Sequence, residues 1–224
     1  MSERIALVFG ATGCIGEAIC CELAKNKIKL ILVGKNTNKL ELLDDKIKKI
    51  NNKNSTLVPL DLSHSRSIDK LGSVIFEKFK KIDLLINLAS FFPKLSPITH
   101  ISPKDFNKII NINIVSAWNI IRVFDPLLKM SNNGRVYFMV CKRKKYKEPY
   151  FTSYSLTSNA IETLIKNWRM ETVNSSLSIY TYDPGPVLSN LRKNSFPGEN
   201  KNKLQKPSLV AKKFVKELKN SYLE

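Results

Sequence analysis

The chain has 224 residues, 43% of them hydrophobic, and a formal net charge of +18. That length suits one domain and can bury a sheet between two helix layers, so a single domain over residues 1–224 is expected. No apolar run approaches the roughly 18 residues of a membrane helix, which excludes a membrane span of that kind.

Residues 4–9 are a short β-branched and apolar run that ends at glycine. Residues 14–25 carry Ile15, Ile19 and Leu23 at helical spacing. Residues 28–33 read as a second buried strand, and 37–51 as an amphipathic helix with its lysines outward. A third strand over 55–60 precedes a helix over 65–80, and a fourth strand covers 82–87. Residues 102–130 read as one long helix, with Ser102 as its cap and Pro103 in its first turn. A fifth strand (134–141), a helix (152–173), a sixth strand (176–182) and a last helix (207–222) complete the order. The most loop-like segment is 194–205.

Short apolar strands alternating with helices imply an α/β fold. The expected architecture is a Rossmann-like, doubly wound parallel sheet of about six strands with helices on both faces. Ligands on such sheets bind beyond the carboxyl ends of the strands, so the strand-end residues are the candidates for chemistry.

The first residues run straight into a strand, without the basic start, longer apolar stretch and small-residue site of a signal peptide. The four cysteines, Cys14, Cys20, Cys21 and Cys141, have no metal-ligand spacing, and two are neighbours. No metal site is expected, and reduced thiols fit a cytoplasmic protein. The positive charge would attract nucleic acid, anionic membrane or phosphorylated ligands. Lys, Asn and Ile are abundant throughout, however, so solvated faces are favoured over a nucleic-acid role.

The first strand ends in Gly10-Ala11-Thr12-Gly13-Cys14-Ile15-Gly16, directly before a helix. Glycines let a backbone turn tightly and approach a pyrophosphate, and the helix N-terminus offers unpaired N–H groups. Asp61-Leu62 closes the third strand, and Asn87-Leu88-Ala89-Ser90 the fourth. Pro184-Gly185-Pro186-Val187-Leu188-Ser189 follows the sixth. Together with Val33-Gly34-Lys35-Asn36 at the end of the second strand, these five segments, in this order and on these strands, resemble the short-chain dehydrogenase/reductase family from end to end. The resemblance implies that Gly10, Gly13 and Gly16 cradle a dinucleotide, that Asp61 contacts its adenine, and that the segment from Pro184 to Ser189 covers its nicotinamide. The glycine spacing is closer to the family's extended subgroup; in the short subgroup the middle glycine falls where Cys14 stands. The second strand ends Gly34-Lys35-Asn36, with no acid for the ribose hydroxyls of NAD. A lysine there suits a 2′-phosphate, so NADP is expected over NAD. Lys35 as one more surface lysine is the alternative.

The family's chemistry is hydride transfer between a nicotinamide and a carbonyl or alcohol. A Tyr exchanges the proton, a Ser orients the substrate oxygen, and a Lys one turn after the Tyr lowers its pKa. An Asn in the preceding helix holds a water on the proton path. A free Tyr titrates near about pH 10, and an adjacent cation favours its phenolate. The matching segment here is Tyr154-Ser155-Leu156-Thr157-Ser158. The Tyr is present, but Ser158 stands at the Lys position. Cys141, thirteen residues before the Tyr, stands at the Ser position, and a thiol is a weak donor. Asn113 matches the Asn. Losing one orienting donor costs about 10²–10³ in rate. Lys142, Arg143, Lys144 or Lys145 could reach Tyr154 in compensation. Tyr154 could instead be a packed aromatic on the stripe of Ile161, Leu164, Ile165 and Trp168.

The family usually adds a seventh strand after the last helix, whereas this sequence stops at Leu223-Glu224. The segment 191–206, with Ser195-Phe196-Pro197-Gly198-Glu199, resembles the family's substrate-side loop. The basic stretch 142–147 contains Tyr146 and could bind nucleic acid, anionic lipid or an anionic substrate, or be a solvated loop. Three functions follow from these residues. The first is an NADP-dependent oxidoreductase acting on a small carbonyl or alcohol through a weakened site. The second is an NADP-binding sensor or interaction protein without catalysis, and the third a basic surface-binding module. The family pairs through its fourth and fifth helices, so a homodimer through Trp118, Ile121, Ile161 and Trp168 is expected.

Overall fold

Every residue of Ile5–Phe9 (β1) is buried, as a strand covered on both faces requires. β1 lies in the middle of a six-stranded parallel sheet. The computed structural model describes residues 3–141 and 149–218. The other strands are β2 (Lys29–Gly34), β3 (Thr56–Pro59), β4 (Leu84–Asn87), β5 (Arg135–Met139) and β6 (Ser178–Tyr182). Their spatial order is β3-β2-β1-β4-β5-β6, and every neighbouring pair runs parallel. The helices are α1 (Cys14–Ala24), α2 (Thr37–Asn51), α3 (Ser65–Phe79), α4 (Pro103–Ile109), α5 (Ser116–Lys129), α6 (Thr152–Glu171), α7 (Asn190–Ser195) and α8 (Pro207–Leu218).

Two apolar cores cover the two faces. One joins the inward residues of α1, α2 and α8, such as Leu23, Leu43 and Phe214, to Val8, Leu32 and Ile86. The other joins α3, α5 and α6, through Ile75, Phe124 and Ile165, to Leu7, Phe9 and Val136. α3 and α5 cross closely at Gly72, where any Cβ would collide with Val123. The sheet order and the two layers are those expected of the doubly wound fold.

Three local expectations need correction. The long helix predicted over 102–130 is not uniform: a wider π-helical turn, Ile110–Val115, separates α4 from α5. Ser102 does cap α4, accepting from the Asp105 N–H at 3.1 Å. Within the π turn, Asn113 points inward and is buried. The segment 194–205 is not all loop, because α7 runs into it as far as Ser195 and a 3₁₀ turn occupies Lys201–Lys203. Ile161 and Trp168, expected on a partner-facing surface, lie in the core, and the Trp168 indole N–H donates to Asp125 Oδ1 at 2.8 Å. Their apolar surface covers the sheet instead. Trp118 is half-exposed on α5.

The basic stretch 142–147, with Tyr146, lies outside the described residues, as does the end of the last predicted helix. None of the four cysteines is in a disulfide. Among the described residues no group of His, Cys, Asp or Glu could hold a metal ion, and no helix is long and apolar enough to cross a membrane.

Phe124 is fully buried, its ring 5.7 Å from that of Phe9. Phe124→Ala removes that contact between α5 and the central strand, and should cost about 3–5 kcal/mol of stability. A urea titration reads this as a lower midpoint with an unchanged slope. An unmoved midpoint would contradict the packing described.

Candidate active site

The strand order reverses between β1 and β4: the helix after β1 covers one face and the helices after β4 the other. The crevice beyond their carboxyl ends is where ligands of such sheets bind. Gly10 turns the chain out of β1 with φ +72°, and a Cβ there would lie 2.8 Å from the Ala89 nitrogen. Only glycine fits, so the two strand ends can touch. The chain then enters α1, whose cap residue Gly13 offers no side-chain hydrogen bond. No capping side chain therefore stands between the α1 N-terminus and an anion. Gly16 lets the helix start directly over the carbonyls of Gly10 and Ala11; a Cβ would sit 2.9 Å from the latter. Ile15 packs its side chain against the α1-side core, while Cys14 is exposed.

A cleft of about 240 Å³ opens here, lined by Gly10, Thr12, Gly13, Lys35, Asp61, Leu62 and Ala89 among others. Expected cofactor residues from the ends of the first four strands thus meet in one place, whereas Cys14, Ile15, Gly16, Asn36 and Asn87 do not line this cleft. Lys35 and Asp61 also meet each other, Nζ to Oδ2 at 2.6 Å. That bond, with two from Ser63, holds the Asp61 carboxyl down to about 2. Asn36 caps α2 by accepting from the Lys39 N–H at 2.9 Å, so its carboxamide oxygen is committed to the helix. Asn87 accepts from the Ala89 N–H at 3.2 Å and fixes the turn after β4.

The segment after β6 folds over the same crevice. Gly185 adopts φ +67°, and its N–H donates to Asp183 Oδ1 at 2.8 Å. Gln205 holds the segment by donating to the Pro184 carbonyl at 3.2 Å, and Val187 pairs with Gln205 in a single β-bridge. Ser189 caps α7, accepting from the Arg192 N–H at 3.0 Å, and its hydroxyl also hydrogen-bonds the Cys14 thiol. The segment after β6 therefore touches the glycine turn that leads into α1.

Beside the cleft, a pocket of about 90 Å³ is lined by Asn87, Ala89, Ser90, Phe92, Asn113, Cys141, Tyr154, Thr157 and Ser158. All four expected catalytic positions line it, so Tyr154 is a pocket residue and not a core aromatic. Two of them differ from expectation in what they do. Asn113 is held at three points: its carboxamide donates to the Phe91 carbonyl and to Thr157 Oγ1, each at 2.9 Å, and accepts from the Phe91 N–H at 2.7 Å. Its side chain ties the β4 loop to α6. Ser158 accepts from the Cys141 N–H at 3.1 Å, which directs it at the backbone of the chain leaving β5. The lysines and arginine of 142–145 lie outside the described residues.

Tyr154 stacks on Phe92 with ring centroids 4.0 Å apart, and Phe151 leans on it at 5.9 Å. Its phenol is hydrogen-bonded to Ser195 Oγ at 3.1 Å. Burial pushes its pKa up, partly offset by the Ser195 bond and the Arg192 charge. Phe92 and Thr157 were not expected in the site, and Arg192 and Ser195 were expected only as part of a substrate-side loop, with no role at Tyr154. Only Thr157, one turn after Tyr154 on the same helix face, carried a spacing signal.

A parallel sheet with a glycine turn and a bare helix N-terminus at its switch point defines a dinucleotide-binding α/β protein. The chain belongs to the short chain dehydrogenase family, whose sequence pattern matches residues 4–200. An uncharacterized oxidoreductase of Staphylococcus aureus is 25% identical, over 84% of this chain and 79% of its own length. An NADPH-dependent pterin aldehyde reductase of Arabidopsis thaliana is 24% identical, over 88% and 80%. Among solved structures, a short chain dehydrogenase of Escherichia coli complexed with NADPH superposes with a TM-score of 0.88 at 22% identity, covering 100% of this chain and 90% of that one. One from Salmonella enterica gives 0.88 at 22%, covering 99% and 88%. These likenesses extend the shared fold across almost the whole chain.

The Asp61 carboxyl is depressed because Lys35 favours its charged form. Its contribution to stability is therefore present above the ordinary carboxylate range, and is lost as pH falls towards about 2. In Lys35→Ala the Asp61 midpoint should rise towards the ordinary value of 3.8. Carboxyl-carbon NMR shifts read this directly. An unchanged midpoint would mean that the pair does not form in solution.

Proposed function

We propose that this protein is an NADP-dependent oxidoreductase that reduces a small carbonyl compound through a weakened proton-transfer site. The observation that carries the reading is Tyr154, half-buried in a pocket that adjoins the glycine cradle and shares Ala89 and Ser90 with the cofactor cleft. The cradle suits a pyrophosphate: Gly10 and Gly16, where a Cβ would collide with backbone, let the turn close tightly against α1, whose N-terminus carries no side-chain cap. Lys35 stands at the mouth of the cleft with a charge suited to a 2′-phosphate, which would compete with Asp61 for it. The NADPH in the name of the Arabidopsis relative and in the E. coli structure agrees with that choice.

When bound, the reduced nicotinamide supplies a hydride to the carbonyl carbon. The residues of this chain have the remaining tasks. Tyr154 gives a proton to the substrate oxygen, Asn113 holds the β4 loop against α6, and Phe92 and Phe151 fix the phenol ring. Because burial raises the Tyr154 pKa, the phenol stays protonated at neutral pH. It is then ready to act as an acid in reduction. Alcohol oxidation needs the phenolate, whose share grows only as pH rises towards that raised pKa. Reduction is the favoured direction, with a flat pH response through neutrality. With a thiol at Cys141 and no cation at Ser158, the rate should fall short of an intact site by about 10²-fold or more.

Equilibrium binding by calorimetry tests the first step. NADPH should bind more tightly than NADH, and Lys35→Ala should remove most of that preference. No binding of either would sink the reading. Turnover tests the second: Tyr154→Phe should abolish carbonyl reduction, and Cys141→Ser with Ser158→Lys should raise it. The commitment of Ser158 to the Cys141 backbone favours one alternative, a cofactor-binding protein without catalysis. NADPH binding with no turnover before or after that double substitution would establish it. The same protein is proposed to form a homodimer through the exposed side of α5 around Trp118, which is 50% exposed. Light scattering at micromolar concentration should give twice the chain mass.

A further inference from the structure

We propose that Ser195, on α7, supplies the hydroxyl partner of Tyr154 that the end of β5 no longer offers. This inference rests on the reading of Tyr154 as the proton donor. Among the described residues the chain leaving β5 offers a thiol, at Cys141, and Ser158 accepts from the Cys141 N–H. Neither places a strong O–H donor on the phenol. Ser195 holds one within reach: it is buried, and its Oγ lies 3.1 Å from the Tyr154 hydroxyl oxygen, where either oxygen can donate.

The placement is built rather than incidental. α7 is capped by Ser189, and its end closes with the Phe196 N–H donating to the Arg192 carbonyl at 2.9 Å. The Arg192 guanidinium makes a two-pronged pair with Glu199, both bonds 2.5 Å, and lies 3.6 Å over the Phe196 ring. Phe196 packs on Phe151, and Phe151 on Tyr154. The residues on either side of Ser195 in space are thus locked to the ring that Ser195 serves.

Tyr154 faces the Cys141 thiol from β5, which opposes a phenolate, and Arg192 from α7, which favours one. When Tyr154 transfers its proton, the phenol O–H bond breaks and an O–H bond forms on the substrate oxygen. The electron pair stays on the phenol oxygen. Ser195 then turns its O–H towards that oxygen, giving a charge-assisted hydrogen bond of the stronger kind. The hydroxyl need only rotate; no second proton moves.

The test uses Ser195→Ala and Ser195→Thr in the full chain. In the ligand-free protein, the Tyr154 resonance of ring-labelled tyrosine is assigned by its loss in Tyr154→Phe. Ser195→Ala should move its titration midpoint upward, and Ser195→Thr should restore it. In turnover with NADPH and an aldehyde panel, Ser195→Ala should lower kcat by about 10²-fold with NADPH affinity unchanged, and the Thr variant should recover most of it. An unmoved midpoint in Ser195→Ala, or equal damage from Ala and Thr, would overturn the proposal. If the unsubstituted protein turns over nothing, the reductase reading fails, and the Tyr154 midpoint alone still decides the role of Ser195.

Discussion

The contact between Gly10 and the backbone of Leu88 and Ala89 is the constraint on which the rest of the molecule depends. A side chain at residue 10 would drive β1 and β4 apart at their carboxyl ends, because its Cβ would fall within 3.0 Å of Ala89 N, Ala89 Cα and Leu88 C. These are backbone atoms at the sheet's point of reversal, and they cannot give way as a flexible side chain would. The positive φ of Gly10 also aims the chain at α1. One residue therefore sets both walls of the crevice: the turn after β4, braced by Asn87, and the helix N-terminus that faces it. Gly34, one strand over, makes room for a side chain instead: a Cβ there would meet Thr12 Oγ1 at 3.0 Å.

Polar ties carry this geometry to the chemical end. Asn113 reaches the pocket because the π turn re-aims it. Its carboxamide then holds the Phe91 backbone on one side and Thr157 on the other. A buried network with its partners satisfied is rigid, and each member is costly to remove. Phe92 follows Phe91 directly, so the same tie sets the ring against which Tyr154 stacks. The loop after β4 and helix α6 are thus registered to one another.

The periodic parts of this arrangement were legible in the sequence. Runs such as Ile5–Phe9 and stripes such as Ile19–Leu23 carry their burial in their spacing, and the glycine turn announces itself by position. What was hidden depends on contacts between distant residues. Nothing in Ile110–Val115 distinguishes a π turn from continued α-helix, because the cause lies in bonds to Phe91 and Thr157. Lys35 and Asp61 were each read as a ligand, and neither as the other's ion-pair partner. Ile161 and Trp168 look the same on a helical stripe whether they face a second subunit or their own sheet. Ser195 sits 41 residues from Tyr154, on a short helix within a polar stretch, and no spacing rule joins them.

The altered residues at 141 and 158 and the hydroxyl at 195 are best understood together. In an intact site of this family, the proton donor is served from the sheet and from its own helix, the most rigid supports available. Here the contact comes from α7, six residues long, held by Arg192 with Glu199, by aromatic packing and by the Val187–Gln205 bridge. A donor on a loop-borne helix is positioned less rigidly than one on a strand end, and transition-state stabilisation falls steeply with misplacement. Moving the hydroxyl from β5 to α7 keeps a partner on the phenol oxygen but makes it conditional on α7 being seated. On the proposed reading, proton transfer at Tyr154 would be coupled to the order of the segment that covers the crevice, so a substrate that seats α7 would gain rate as well as affinity.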